Sequence, residues 1–272
     1  MGAACMVCQS TARKTIYVLD FGRIVECSKC GLVYAVTPDG ADLVECEYGE
    51  QYYKNEGGQI QYGYPDYFGK EREARVLAAR VFVQVIGVYR KNVGKLLDVG
   101  CGGGYFVHAA LASGWDAVGI DKSDYAIQMA SKLVGGHVLP GELKDYSSTL
   151  SPATKFDVVT MFDVIEHVRN PVEQINLAVS LLSAGGVVVL TTPTYGGKFS
   201  TGQGANYVQF KQDHIYHFSI RTMEELLRRT DVSGWDIYQL ADVLQSMKGD
   251  VPDEVLNKYQ NEREHMLVVC RR

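Results

Sequence analysis

The sequence predicts an α/β protein, a doubly wound sheet preceded by a small cysteine-bearing module. Three observations predict it. The run Lys95-Leu96-Leu97-Asp98-Val99-Gly100-Cys101-Gly102-Gly103-Gly104 joins a buried strand to a tight glycine turn, with an acidic residue at the junction. Residues 115–121 read as a second strand ending in Asp121, about 20 residues beyond the turn, the interval of a nucleotide-binding βαβ unit. Two Cys-x-x-Cys pairs, Cys5/Cys8 and Cys27/Cys30, stand apart at the amino terminus.

The first element is the cysteine module, over residues 1–36. Eighteen residues separate the two pairs, which fits a four-thiolate zinc site. Two disulfides are the alternative, disfavoured by a reducing compartment, and so short a segment does not fold without a staple. Four cysteines leave no open coordination position, so a metal held by Cys5, Cys8, Cys27 and Cys30 would be structural. A hairpin over residues 15–19 and 23–26 would join the two knuckles, and Gly31 would let backbone amides point at sulfur. Of the remaining thiols, Cys46 has no evident partner in the sequence, Cys101 packs in the glycine turn and Cys270 falls in the last strand.

Residues 37–92 form the second region. Between 48 and 68 it carries Tyr52, Tyr53, Tyr62, Tyr64 and Tyr67 among glycines. Phenols offer apolar area with a polar tip, which suits a lid over a mixed-polarity substrate, and a linker packed on the core fits equally. Residues 71–89 read as a helix leaning on the sheet.

The third region, residues 93–272, carries the glycine turn. Glycines there permit positive φ and let the backbone pass against a ligand. A surface turn is the plain alternative, and the second strand argues for a nucleoside cofactor instead. Asp121 would chelate two ribose hydroxyls or cap the helix that begins near Ser123 and Asp124. Further strands follow before Gly141, over 156–163 and over 185–193.

Composition limits the function classes. A chain of 272 residues with 46% hydrophobic residues can bury one large core beside a small module. A net charge of −5, without a Lys/Arg cluster, argues against a general nucleic-acid binder. No apolar run reaches the ~18 residues needed to cross a bilayer, and the amino terminus lacks a basic-then-apolar leader. The expectation is a cytoplasmic protein with no membrane insertion, its oligomeric state open.

The spacing Asp98-x-Gly100-x-Gly102-x-Gly104 lacks the G-x-G-x-x-G register of dinucleotide sites. It resembles motif I of class I S-adenosylmethionine-dependent methyltransferases, and the later strands fall in that family's order from about residue 93 to 272. The resemblance implies a Rossmann-like seven-stranded sheet whose last strand, 265–270, inserts antiparallel beside 235–240. It also implies S-adenosylmethionine as cofactor, with Asp98, Gly100, Gly102 and Gly104 around its amino-acid end. Asp121 and Lys122 would lie at its ribose, and Glu142 and Leu143 at the adenine. Phe162 and Asp163 would line its other side, core packing being the alternative for Phe162.

After the fourth strand, Asp163-Val164-Ile165-Glu166-His167 precedes a helix that Asn170 could cap, with Pro171 at its first position. Farther on, Asp213-His214-Ile215-Tyr216-His217-Phe218-Ser219 precedes another. Both segments fall where ligands bind in open α/β sheets. His167, His214 and His217, with Glu166, are therefore the catalytic candidates, a neutral histidine suiting removal of a proton from an attacking hydroxyl. The Glu166-His167 pair resembles that of ubiquinone-pathway O-methyltransferases and small-RNA 2′-O-methyltransferases, some of which hold a divalent metal there. Asp163, Glu166, His167 and His217 could supply such a set, or His167 could merely orient its loop. His108 and His137 read as structural.

The ribbon-plus-core arrangement also resembles bacterial methyltransferases of sugar, surface-polysaccharide and secondary-metabolite pathways, though the large additional carboxyl-terminal domain of the sugar enzymes has no counterpart in this sequence. The expectation is O-methylation of a small hydroxylated metabolite or glycan. Against it stands an RNA methyltransferase or inactive scaffold that uses the ribbon as an adaptor.

Overall fold

In a computed structural model the described residues are 4–44, 46–55, 62–247, 249–261 and 264–272; part of the Tyr-rich segment, residues 56–61, and the first three residues of the cysteine module lie outside them. The chain begins with β1 (Arg13–Leu19), β2 (Gly22–Cys27) and β3 (Val33–Val36), followed by α1 (Glu50–Tyr53) and α2 (Arg72–Tyr89). The alternating part runs β4 (Lys95–Val99), α3 (Tyr105–Ala112), β5 (Asp116–Asp121), α4 (Asp124–Val134), β6 (Val138–Pro140), α5 (Leu143–Thr149), β7 (Phe156–Phe162), α6 (Pro171–Ser180) and β8 (Leu182–Pro193). It closes with α7 (Lys198–Gly202), β9 (Tyr216–His217), α8 (Ile220–Leu227), β10 (Gly234–Gln239), α9 (Leu240–Ser246), α10 (Asp253–Asn261) and β11 (His265–Arg271).

Seven strands form one sheet in the order β10-β11-β8-β7-β4-β5-β6. The pairs β4–β5, β4–β7, β5–β6 and β7–β8 are parallel, while β11 is antiparallel to both β8 and β10. The expected insertion of the last strand is therefore present. The central strands are buried on both faces, as in Leu96 and Leu97 of β4 and the Val187-Val188-Val189-Leu190 run of β8. Such uninterrupted apolar runs are what a sheet covered by helices on both sides demands.

Local chemistry starts the helices where the sequence places them. Asn170 accepts from the Glu173 amide with Pro171 at the first helical position, and Ser219 forms a capping box with Thr222. Ahead of α4 the cap is Ser123, whose hydroxyl accepts from the Ala126 amide. This leaves Asp121 for other partners.

A second sheet has the order β1-β2-β3-β9, so the amino-terminal hairpin is extended by a strand from beyond residue 200. Val33 pairs with His217 and Tyr34 with Tyr216. One buried apolar cluster holds Cys5, Leu32 and Tyr34 together with Tyr216, Phe218, Leu226 and Met161.

Candidate functional site

The glycine turn sits at the carboxyl end of β4, beside the switch in strand order between β4 and β7 where open α/β sheets leave a crevice. Gly100, Gly102 and Gly104 all have positive φ, at 73°, 50° and 70°. A side chain at Gly100 would run into Val164, and one at Gly102 into the Tyr67 hydroxyl, so the backbone here is stripped to fit. The Gly100 and Cys101 amides both donate to the Ile120 carbonyl, which ties the turn to β5.

Asp121 completes the unit. One of its oxygens accepts from the Gly102 amide and the other from the Ser123 amide, both at 2.8 Å. Each oxygen keeps a second lone pair for a ligand hydroxyl. Asp98 lies deeper, accepting from the Thr160 hydroxyl at 2.7 Å, and burial pushes its carboxyl up to about 7.

These groups open onto a cavity of about 640 Å³. Asp98, Gly100, Gly102, Asp121, Lys122, Glu142, Leu143, Phe162, Asp163 and His167 all line it, although they come from segments far apart in sequence. Gly104 instead heads α3. Phe162 is both a liner and a packing residue, its ring 4.5 Å from that of Phe82 and 5.0 Å from that of Phe106. Asp163 turns the chain at φ 54°, and its carboxylate is held by the Thr191 hydroxyl at 2.9 Å and by His265 Nε2 at 2.7 Å.

The other catalytic candidates lie behind the wall. Of the three histidines only His167 lines the cavity, while Glu166, His214 and His217 do not. His167 Nδ1 lies 2.5 Å from the Asp213 carbonyl, so that nitrogen carries the proton and Nε2 the lone pair. Burial lowers the basicity of all three histidines, that of His217 to about 3, and keeps them neutral at pH 7.

Glu166, His167 and His214 each bring one ligand atom into a group whose members lie within 4.8 Å of one another. This group differs from the set expected from the sequence, because His214 stands where Asp163 and His217 were expected. His217 is drawn into β9 opposite Val33, its ring against Phe210. Neither carboxylate oxygen of Glu166 has a hydrogen-bond partner among the described residues, although the residue is 1% exposed. Burial first, and then the neighbouring Asp163 charge, hold its carboxyl well above the usual range.

Several cavity residues escaped the sequence reading. Arg75 of α2 lies over the rings of Tyr64 and Tyr67, at 4.3 and 3.8 Å, with its Nε buried and unpartnered among the described residues. Its other contact is Glu71 at 2.6 Å. The Tyr67 hydroxyl in turn accepts from the Gly103 amide at 3.4 Å, so the stack stands against the glycine turn. Asp213, 3% exposed, accepts from the Tyr52 hydroxyl at 3.0 Å, and Tyr48 lies 3.3 Å from His167 Nδ1. Arg75 sat within an amphipathic helix pattern and gave no separate indication; the tyrosine density was the visible part of this wall.

The four amino-terminal thiols form the second cluster. Sγ atoms of Cys5 and Cys30 are 3.5 Å apart, those of Cys8 and Cys27 are 3.4 Å apart, and all four lie within 4.8 Å of one another. Disulfides require about 2.05 Å, whereas a tetrahedron with Zn–S near 2.3 Å has edges of about 3.8 Å. The two knuckles share one backbone pattern. Gln9 and Gly31, each following a pair, have φ of 60° and 82°, and their amides donate to the carbonyls of Cys5 and Cys27.

With that geometry established, comparisons with known proteins place the chain. A family model described as a methyltransferase domain matches residues 70–236. The ubiquinone biosynthesis O-methyltransferase of Psychrobacter arcticus is 36% identical over 107 residues, covering 36% of this chain and 40% of that protein. The enzyme of the same name from Alkalilimnicola ehrlichii is 27% identical over 177 residues, covering 61% of this chain and 67% of its own length. The chain thus spans about two fifths of the first of these relatives. Among solved structures, a SAM-dependent methyltransferase from Archaeoglobus fulgidus has a TM-score of 0.56 at 18% identity, covering 76% of this chain and 99% of that one. The plantazolicin methyltransferase BpumL, solved with a desmethylPZN analog and SAH, has a TM-score of 0.54 at 18% identity over 75% and 86% of the two chains. At such identities these structures establish the fold alone.

Proposed function

Because the chain belongs to the methyltransferase domain family, which its residues 70–236 match, we propose that it transfers a methyl group from S-adenosylmethionine to a hydroxyl of a small acceptor. The observation that carries this is the pairing of a turn holding three left-handed glycines with Asp121, whose two oxygens each accept one backbone amide and retain a lone pair, and which lines the cavity. The ubiquinone-pathway O-methyltransferases among the relatives support oxygen as the accepting atom.

The cofactor supplies an electrophilic methyl group on a sulfonium. Asp121 would hold its ribose hydroxyls, the glycine turn would admit its amino-acid end, and Arg75, a partly buried cation stacked on Tyr67 beside that turn, would meet its carboxylate. Glu142 and Leu143 would stand at the adenine. The wall opposite, built by residues 167–170 with Gln212, Asp213 and Ile215, would receive the acceptor. His167, neutral and with the Nε2 lone pair available, would take the hydroxyl proton as oxygen bonds to the methyl carbon and the carbon–sulfur electron pair returns to sulfur; Nε2 lies 3.9 Å from a Glu166 carboxyl oxygen, so the acceptor would have to approach beside it. Alignment of both reactants would supply most of the acceleration, roughly 7–11 kcal/mol in favourable cases. The Cys5, Cys8, Cys27 and Cys30 tetrad would hold a structural zinc ion.

A test is titration of the full chain with S-adenosylhomocysteine. Binding in the micromolar range or tighter is expected, with Asp121→Ala weakening it about 10–100-fold through loss of charge-assisted hydrogen bonds. No heat of binding with the parent protein would defeat the reading.

The unpartnered oxygens of Glu166 favour a second reading of the acceptor side. There Glu166, His167 and His214 would hold a divalent cation, which supplies a Lewis acid for the acceptor oxygen, and His167 would be a ligand, not the base. Manganese titration of chelator-treated protein separates the two. One tight site beyond the thiol tetrad, lost in Glu166→Gln, is expected from the cation reading; its absence leaves His167 as base.

A further inference from the structure

The cysteine module does more in this structure than fold itself. Its last strand, β3, is hydrogen-bonded through the Ala35 amide to the carbonyl of Ile215, at 2.8 Å. The amide of the same Ile215 donates to the carbonyl of Glu166, also at 2.8 Å. Ile215 therefore bridges the module and the loop that carries His167. The segment from 213 to 217 is clamped between them, and Asp213 and Ile215 both line the cavity.

A second connection starts at the first knuckle. Arg229, just beyond α8, places one Nη1 on the carbonyls of both Met6 and Val7, at 2.7 and 2.6 Å. Those carbonyls belong to the turn between Cys5 and Cys8. Helix α8 is anchored by the Ser219 capping box directly after β9, so the cysteine turn, Arg229, α8 and β9 form one chain of contacts. A third link runs to the segment just beyond β3: the Tyr216 hydroxyl donates to the Arg169 carbonyl, and the Arg169 guanidinium pairs at the surface with Asp42 at 2.6 Å. By contrast, Asp98, the glycine turn and Asp121 are carried by β4 and β5, joined to each other and to β7 and β6.

We propose that the zinc-ribbon module is the rigid backing of the acceptor wall, so that metal held by Cys5, Cys8, Cys27 and Cys30 fixes the positions of Asp213, Ile215 and His167 while leaving the cofactor half of the cavity to the central sheet. Arg229 and the Ile215 peptide are the positioning groups. This rests on the methyltransferase reading for the names of the two halves, whereas the mechanical coupling is independent of it. Metal in the ribbon then controls the order of the acceptor wall and not affinity for the cofactor.

The test is hydrogen–deuterium exchange of the full chain, zinc-loaded and chelator-treated, alongside S-adenosylhomocysteine titration of both. Arg229→Ala with all four cysteines intact serves as a second variant should the metal-free protein precipitate. Amides of 33–36, 163–169 and 212–217 are expected to exchange about tenfold faster on metal loss or in Arg229→Ala, the scale set by a lost charge-assisted hydrogen bond. Those of 96–104 and 116–121 are expected to hold, with dissociation constants for S-adenosylhomocysteine within about twofold. Unchanged exchange in 163–169 and 212–217 overturns the proposal. So does loosening that spreads equally through 96–104 and 116–121, which would make the ribbon a general staple. Failure of the zinc-loaded parent to bind S-adenosylhomocysteine refutes the methyltransferase reading instead, and the exchange pattern still decides the coupling.

Discussion

Asp98 shows how a single buried carboxyl sets conditions for the whole site. Its surroundings offer one hydrogen bond, from Thr160, against full desolvation, and its carboxyl rises from 3.8 to about 7. A group with its folded value raised contributes stability fully present below the unfolded value and lost as pH climbs through the folded one. The parent protein is therefore expected to lose roughly 2–3 kcal/mol from this residue between pH 5 and pH 8. Asp98→Asn keeps an acceptor for Thr160 and cannot ionise. In urea unfolding at the two pH values, the stability difference between parent and variant should move in the variant's favour as pH rises. A difference that stays constant would show that Asp98 titrates normally. The position of this residue in the cavity wall was readable because one strand and one turn define its place. Arg75 was not readable, since its value lies in Tyr64, Tyr67 and Gly103 converging on it from other segments.

At the scale of elements, the two cysteine knuckles are a repeated device with unequal chemistry. Gly31 takes its left-handed φ without strain, and a Cβ added there meets nothing within 4 Å. Gly31→Ala would thus cost only the backbone term, about 1–2 kcal/mol. Gln9 already bears that term in the first knuckle. Gln9→Gly would relieve it but free the unfolded chain, leaving a net change below about 0.5 kcal/mol. Denaturant midpoints of the zinc-loaded variants check both, and equal costs at the two sites would contradict the shared geometry. The hairpin between the knuckles and the cap at Asn170 were legible in sequence because each is a local pattern. β9 was not: two residues, Tyr216 and His217, make a strand only because β3 presents an edge to them. His217 was accordingly expected among metal ligands, whereas its ring is committed to Phe210 and His214 is left beside Glu166.

For the whole molecule, the order of strands explains why the cavity has two walls of different ancestry in the chain. The turn after β4 and the end of β5 face segments that follow β7 and precede β9, and the latter lean on the amino-terminal sheet. β3 ends at Val36, and Tyr34 within it, at 1% exposure, packs in the same cluster as Tyr216 and Phe218. Deleting residues 1–36 would uncover that apolar face together with the β9 edge. Exposed apolar area joined to an open strand edge promotes association. The truncated chain is expected to bind a hydrophobic dye and to aggregate at concentrations where the full chain scatters no light. Because β4 and β5 are untouched by the deletion, whatever fraction remains monomeric should still bind S-adenosylhomocysteine. A truncated protein that stays monodisperse and dye-silent would mean that the ribbon covers nothing the core needs covered, and the shared cluster would then be only a surface contact.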